Sequence, residues 1–219
     1  MDGAAARQSN PRTQPRGGTI PLEDKALAAA PDELTDNELL RLLQEGEDSV
    51  FRVLVKRYWG KAYTIAHGMV GNKEDAWDIA QDSFLRVYKA SASFDLSRAF
   101  HTWLYRIVTN LCIDQLRRKS LARTVALDDI EPSLADRRPS LDALERRELR
   151  GRIDEAFEVI PPKYRAVLIL RDVHGLACKE IGKIMRCTHS TVRWRLHRAR
   201  KIFREHWERA ASPARGGGA

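Results

Sequence analysis

Apolar residues recur at three- and four-residue steps along two stretches of this chain, and between and around those stretches no period persists. In the first, about Asp36 to Ser120, the pattern predicts four helices. Thr35 or Asp36 can cap the first, with Glu38 as capping-box partner and Leu39, Leu40, Leu42 and Leu43 as its apolar face. Val50, Phe51, Leu54, Val55 and Tyr58 mark the second, which Gly68 and Gly71 help to end. A third runs from about Glu74 to Lys89. The fourth carries Phe100, Trp103, Leu104, Ile107, Val108 and Leu111 on one side, and Trp103 reads as core because it shares that stripe. The second stretch, about Leu144 to Trp207, predicts four shorter helices. Ile153, Ala156, Phe157 and Ile160 share a face until Pro161 and Pro162 stop the first; the others run from Tyr164 to Asp172, around Lys179 to Met185, and from Thr188 to Trp207. No strand-like alternation with hairpin turns appears, so the fold class is all-α, two small helical domains.

The aperiodic segments set the boundaries. Residues 1–33 are rich in Ala, Pro, Arg and Gly and read as a disordered arm, because they cannot bury enough apolar surface to offset their ordering entropy. A four-helix domain then spans 34–120. Residues 121–143, LARTVALDDIEPSLADRRPSL and its flanks, hold two prolines and mixed charge and read as a flexible linker. The second domain spans 144–207, and 208–219 read as a disordered tail.

Composition narrows the partners. A formal charge of +8 over 219 residues favours a polyanion, either nucleic acid or an acidic protein surface. Cys112, Cys178 and Cys187 are odd in number and widely spaced, a poor disulfide framework that suits a reducing compartment, so the cytoplasm is expected. No stretch approaches the roughly 20 apolar residues of a membrane span. The N-terminal segment lacks the apolar run of a secretory signal.

The last predicted helix carries the most chemistry. With Val192 at zero and about 100° per residue, Leu196, Ala199 and Phe203 fall within about 40° of it and should pack inward. Arg193, Trp194, His197, Arg198 and Lys201 project roughly 100 to 240° away. Ser190 to Arg204 contains six Arg or Lys and no acid. With the preceding helix (Ile181, Ile184 and Met185 inward) and the short polar turn Arg186 to His189, this is the helix-turn-helix pattern, its basic face suited to a major groove. Arg can pair bidentately with guanine, while Ser190 and Thr191 near the helix start can donate to phosphates.

The second block resembles region 4 of the sigma-70 family of RNA polymerase sigma factors, through IPPKYRAVLILRDVHGLACKEIGKIM and TVRWRLHRARK. The first resembles region 2, through DIAQDSFLRVYKA and SRAFHTWLYRIVTNLCIDQLRRK. Both in this order, with a short linker and no domain between, resemble the extracytoplasmic-function (ECF) group. The resemblance implies an alternative sigma factor that binds bacterial RNA polymerase core and promoter DNA. Region 2 would dock on the beta-prime clamp through Asp78, Gln81, Asp82 and Arg86, with Phe84, Leu85 and Tyr88 packed in the core. It would take the minus-10 element through the loop residues Ser93, Asp95, Ser97 and Arg98, where a base is flipped out, and through Asn110, Asp114, Arg117 and Arg118 of the fourth helix, with Lys119 beside them on the duplex backbone. Without the resemblance, the same loop is also compatible with a plain solvated connection. Region 4 would bind the beta flap and read the minus-35 element through Ser190, Thr191, Arg193, Trp194, His197, Arg198 and Lys201. An anti-sigma factor is a further partner that the resemblance implies. Three departures from the family pattern stand out: Ala177 at a capping position, Arg186 where Gly is frequent in the turn, and Trp194 where Ser is frequent on the recognition face.

Two other readings carry less. His174, Cys178, Cys187 and His189 are close in sequence, but their spacing is not that of a standard zinc finger, and no metal or other cofactor is expected. No phosphate-cradling glycine loop, HExxH or nucleophile elbow is present, so an enzyme is not expected. The remaining alternative is a stand-alone helix-turn-helix regulator, whose first bundle would serve dimerisation or sensing. It is disfavoured by the exposed polar set Asp78, Gln81 and Arg117.

Overall fold

Two helices of the first group start where a side chain satisfies loose backbone groups. In a computed structural model that describes residues 33–125 and 141–211, with side chains over 33–122 and 147–210, the first helix, α1 (Asp36–Gln44), is entered through a complete capping box. Thr35 Oγ1 accepts from the Glu38 amide at 3.3 Å, and Glu38 Oε2 accepts from the Thr35 amide at 2.7 Å. Leu39, Leu40 and Leu43 are its buried face. A 3₁₀ turn, Asp48–Val50, leads into α2 (Phe51–Val70). Gly71, at φ 83°, closes α2 in the left-handed conformation that glycine adopts without penalty. Gly68 does not help to end the helix as expected: it lies inside α2. Asn72 caps α3 (Lys73–Ala90) through its Oδ1, which accepts from the Asp75 amide at 2.7 Å. After a second 3₁₀ turn, Ser91–Ser93, and a loop, α4 runs from Phe100 to Val125.

These four helices share one core. Leu39, Leu40, Leu54, Ile65, Met69, Phe100, Leu104 and Val108 are almost completely enclosed. Truncating any of these aliphatic side chains to Ala should cost about 2–5 kcal/mol, the lost transfer energy plus a cavity.

The second group comprises α5 (Leu141–Glu158), α6 (Pro162–Leu168), α7 (Cys178–Met185) and α8 (His189–Ala211). Pro162 sits in the first turn of α6, where its missing N–H costs nothing. The helix widens into a π turn, Ile169–Val173, and Ala166 to Leu170 are all buried. Ile160, Ile181, Ile184, Val192 and Ala199 complete this core.

The two groups do not stand apart; the described residues from Thr35 onward form one compact unit. Arg165, only 6% exposed, donates from Nη1 to the Met69 carbonyl at 2.6 Å and from Nη2 to the Glu158 carbonyl at 3.0 Å. Gly68 faces Ile169, so closely that a Cβ there would lie 3.3 Å from the isoleucine Cδ1. At a second seam, Arg106 of α4 donates to the carbonyls of Lys183 (2.6 Å) and Ile184 (3.4 Å), and His101 Nε2 lies 3.7 Å from Glu180 Oε1. The 1–33 arm except residue 33, linker residues 126–140 with their DDIEP cluster, and tail residues 212–219 lie outside the described residues. Helix occupies the outer parts of the expected linker, 121–125 and 141–143.

Candidate nucleic-acid and protein interfaces

The turn between α7 and α8 depends on two backbone devices. Arg186 adopts φ 49°, ψ 52°, the left-handed conformation that costs an L-residue roughly 1–2 kcal/mol. That is the turn position where glycine is frequent in the family pattern. Its strain lets the Cys187 amide return to the Gly182 carbonyl at 3.0 Å, and a Cβ on Gly182 would meet the Cys187 oxygen at 2.8 Å. Ala177, at the N-cap of α7, offers no side-chain cap; only the reverse half of a capping box forms, with Glu180 Oε2 accepting from the Ala177 amide at 2.9 Å. Thr188 caps α8, its Oγ1 accepting from the Thr191 amide at 3.2 Å and lying 2.9 Å from Ser190 Oγ and 2.8 Å from Thr191 Oγ1. The Ser190 and Thr191 hydroxyls therefore belong to a small hydroxyl cluster at the helix start.

Beyond the cap, α8 divides cleanly. Val192, Leu196 and Ala199 are buried, whereas Arg193, Trp194, His197, Arg198 and Lys201 are exposed. Phe203 is only half-buried, stacked on Trp207 and edge-on to Phe157. Two further cations have other tasks: Arg200 grips Asp172 with two bonds, 3.0 and 2.6 Å, and Arg195 reaches the Cys187 sulfur at 3.8 Å. Lys201 also lies 3.7 Å from Glu205, one turn on. Cys178 and His189 line a groove beside α8 with Arg193, His197 and Arg204. His174 is half-buried elsewhere; burial, then Lys61, pulls its pKa below the ordinary imidazole value, and its Nε2 is enclosed without a hydrogen-bond partner. The four potential zinc ligands are thus divided among different surroundings, and among the described residues no cluster of three or more His, Cys, Asp or Glu could hold a metal ion.

In the first group, the loop before α4 is moulded by residues far away in sequence. Gln44 Nε2 donates to the carbonyls of Ser91 (2.8 Å) and Phe94 (2.9 Å), and Asn37 Nδ2 to that of Leu96 (2.8 Å). Phe94 stacks on Trp103, ring centroids 4.4 Å apart, so Trp103 is half-buried beneath the loop rather than enclosed in the core. Within the loop, Asp95 accepts from the Ser97 amide (3.0 Å) and hydroxyl (2.6 Å) and from Arg98 Nε (3.0 Å). Those bonds hold its carboxyl below the usual carboxylate range. Ser93 donates to the Ala90 carbonyl at 3.0 Å. Ser93, Asp95, Ser97 and Arg98 are all exposed, but their first partners lie within the loop and its flanks.

Along α4, Asn110, Asp114, Arg117 and Arg118 are exposed, and Arg118 is steadied by Gln115 at 2.8 Å. Lys119 is drawn aside by an ion pair with Asp75. Partial burial raises the Asp75 pKa, but Lys119, Asn72 and Gln115 outweigh it and hold the carboxyl below its ordinary range.

On α3, Asp78, Gln81, Asp82 and Arg86 are exposed. Phe84 is core at 4% exposure, but Leu85 and Tyr88, expected beside it, are 50% and 41% exposed. The bundle takes the face of Ala76, Ile79, Ala80, Ser83, Phe84 and Val87, which turns Leu85 outward. Tyr88 lies at the margin, its ring 5.2 Å from that of Phe51. Trp77, 49% exposed and edge-on to Trp59, joins the outer face. The surface is therefore amphipathic: Trp77, Leu85 and Tyr88 stand beside the charged row.

Comparison with known proteins follows the same division. A family profile described as Sigma-70 region 2 matches residues 54–122, and one described as Sigma-70, region 4 matches residues 150–202. The chain is 35% identical over 181 residues to the ECF RNA polymerase sigma factor SigW of Bacillus subtilis, covering 79% of this chain and 97% of that one. It is 33% identical over 182 residues to the ECF RNA polymerase sigma-E factor of Escherichia coli, covering 78% and 94%. Among solved structures it is similar to CnrH in complex with the cytosolic domain of CnrY, with TM-score 0.61, 23% identity and coverage of 81% and 99%. It is also similar to the sigma factor RpoE bound to the anti-sigma factor NepR from Bartonella quintana, with TM-score 0.57, 20% identity and coverage of 72% and 96%. At those identities the two structures speak to the fold.

Proposed function

We propose a division of labour that starts from one fact: this chain belongs to the sigma-70 family, in its extracytoplasmic-function group, and is a factor that directs RNA polymerase to promoters. No helix among the described residues is long and apolar enough to cross a membrane. As a partner of polymerase, the protein works in the cytoplasm. It performs no chemistry of its own; the polymerase supplies that.

The α3 face docks on the beta-prime clamp, with Asp78, Gln81, Asp82 and Arg86 making polar contacts and Trp77 and Leu85 adding apolar area at the centre. The loop carrying Ser93, Asp95, Ser97 and Arg98 receives a base flipped from the minus-10 element, the few kcal/mol of unstacking being offset by contacts to its edge. Asn110, Asp114, Arg117 and Arg118 meet the strand and backbone alongside, where phosphate contacts position without specifying. The α8 face enters the major groove of the minus-35 element, and the second group also touches the beta flap. A protein partner of the kind seen with RpoE would regulate the factor by covering these faces. One observation carries this reading: the cations of α8 face outward over a buried Val192, Leu196 and Ala199 stripe, in the chain that also presents the amphipathic α3 face.

The packed arrangement has to open for this task. The two promoter elements lie about 25 base pairs apart, roughly 85 Å at 3.4 Å per pair. A globule of about 160 residues, as many as are described, has a radius of gyration of only roughly 15 Å and is about 40 Å across. The seams at Arg165 and Arg106 therefore part when both elements are engaged on the polymerase.

Transcription with purified core polymerase tests the whole reading. Defined transcripts should appear only when both core and factor are present. Tight, sequence-specific binding to DNA by the factor alone, with no effect on initiation by core, would instead identify a stand-alone regulator.

A further inference from the structure

Trp194 is the one large apolar side chain on the outward face of α8, 58% exposed among Arg193, His197, Arg198 and Lys201. It lies in the N-terminal part of the helix, which began at His189, the part that reaches base edges in helix-turn-helix docking. The indole is braced on one side: Tyr164 of α6 meets it edge-to-face, with centroids 5.6 Å apart and planes at 86°. Tyr164 is itself half-buried, in the first turn of α6, and its amide is bonded to the Pro161 carbonyl at 2.9 Å. An indole held this way loses little freedom on binding, so its contact energy is not spent on ordering.

The chemistry of the indole limits what it can read. It has a single N–H donor and no acceptor, so it cannot make the two-point contacts by which Arg or Asn name a guanine or an adenine. It offers a flat apolar surface, and the only apolar group on the floor of the major groove is the C5-methyl of thymine. Resting on the proposed reading of the minus-35 element by α8, we propose that Trp194 is a specificity-determining residue that selects a thymine there by covering its methyl group, and that Tyr164 is its positioning residue.

The test uses the full chain with core polymerase on the promoter mapped in the preceding experiment, in duplexes where each minus-35 thymine is replaced in turn by uracil, which removes only the methyl. At one position the wild type should lose about four-fold in open-complex formation, equivalent to about 0.8 kcal/mol for one buried methyl. Trp194→Ala should respond equally to thymine and uracil there, Tyr164→Phe should keep the discrimination, and Tyr164→Ala should weaken it. A wild type indifferent to every uracil, on a promoter whose minus-35 element it still requires, overturns the thymine contact and leaves the α8 reading standing. If Trp194→Ala lowers initiation equally on templates with an intact and a scrambled element, the indole meets polymerase instead, which also overturns it. A wild type indifferent to scrambling of the element overturns the α8 reading itself.

Discussion

The loop before α4 and the outer face of α8, the two surfaces we propose for promoter DNA, are built in opposite ways. In the loop, backbone carbonyls are gripped by Gln44 and Asn37 of α1. Its own polar side chains are tied to each other through Asp95. On α8 the buried side is packed and Tyr164 meets the outward Trp194, while Arg193, His197 and Arg198 stand outward. A base taken out of its stack needs a preformed receptacle, whereas a groove needs a stiff rod with adaptable side chains. The carbonyls of the loop are therefore held by residues of another helix, while most side chains that form the α8 face belong to α8 itself.

That contrast can be broken or sharpened by substitution. The largest effect is expected from Arg193→Ala with Arg198→Ala, about 1–3 kcal/mol for each that meets a base, read as lost minus-35 selectivity in initiation assays. Undiminished use of the wild-type promoter by the double variant would remove α8 from the account. Gly182→Ala should follow: its Cβ would press on the Cys187 oxygen, destabilising the fold by about 1–3 kcal/mol in a thermal melt. Gln44→Leu strands the Ser91 and Phe94 carbonyls and should cost about 1–2 kcal/mol. Its signature is slower promoter melting, by permanganate footprinting, with the minus-35 preference intact; equal loss of both would show that the two sites are not separable. Arg186→Gly relieves the left-handed strain and should raise stability by about 1 kcal/mol.

The smallest effect is a pH dependence of the loop. The folded-state pKa of Asp95 is depressed by Ser97 and Arg98, so its contribution is present above the unfolded carboxylate value and fades as pH falls through the lower folded one. Amide exchange at Ser97 should quicken only in that acid window, and Asp95→Asn should abolish the dependence.

Much of this architecture is legible in the residues. Thr35 and Glu38 announce a capping box, and the Val192, Leu196 and Ala199 stripe fixes which side of α8 is inside, because both signals are local. The same holds for Arg186, whose turn demands a left-handed residue whatever its type. What sequence reasoning missed is non-local. Phe84, Leu85 and Tyr88 all look like core on an amphipathic helix, and only the placement of α2 and α4 decides that Leu85 faces out. Gln44 and Asn37 lie 47 to 59 residues from the carbonyls they hold, with no pattern to connect them. Gly182 gave a faint signal, a glycine inside a predicted helix, which points to a close backbone approach without naming the partner.

Guanidinium groups cross the seams between the two helical groups to main-chain oxygens: Arg165, also held by Glu158 of its own group, reaches Met69, and Arg106 reaches Lys183 and Ile184. A carbonyl is present whatever side chain follows it, so replacements at the receiving positions leave these joints intact, and the closed arrangement tolerates drift on one side of each seam. In these hydrogen bonds the control lies on the arginine side, where exchange for lysine would already forfeit the forked geometry that spans two acceptors.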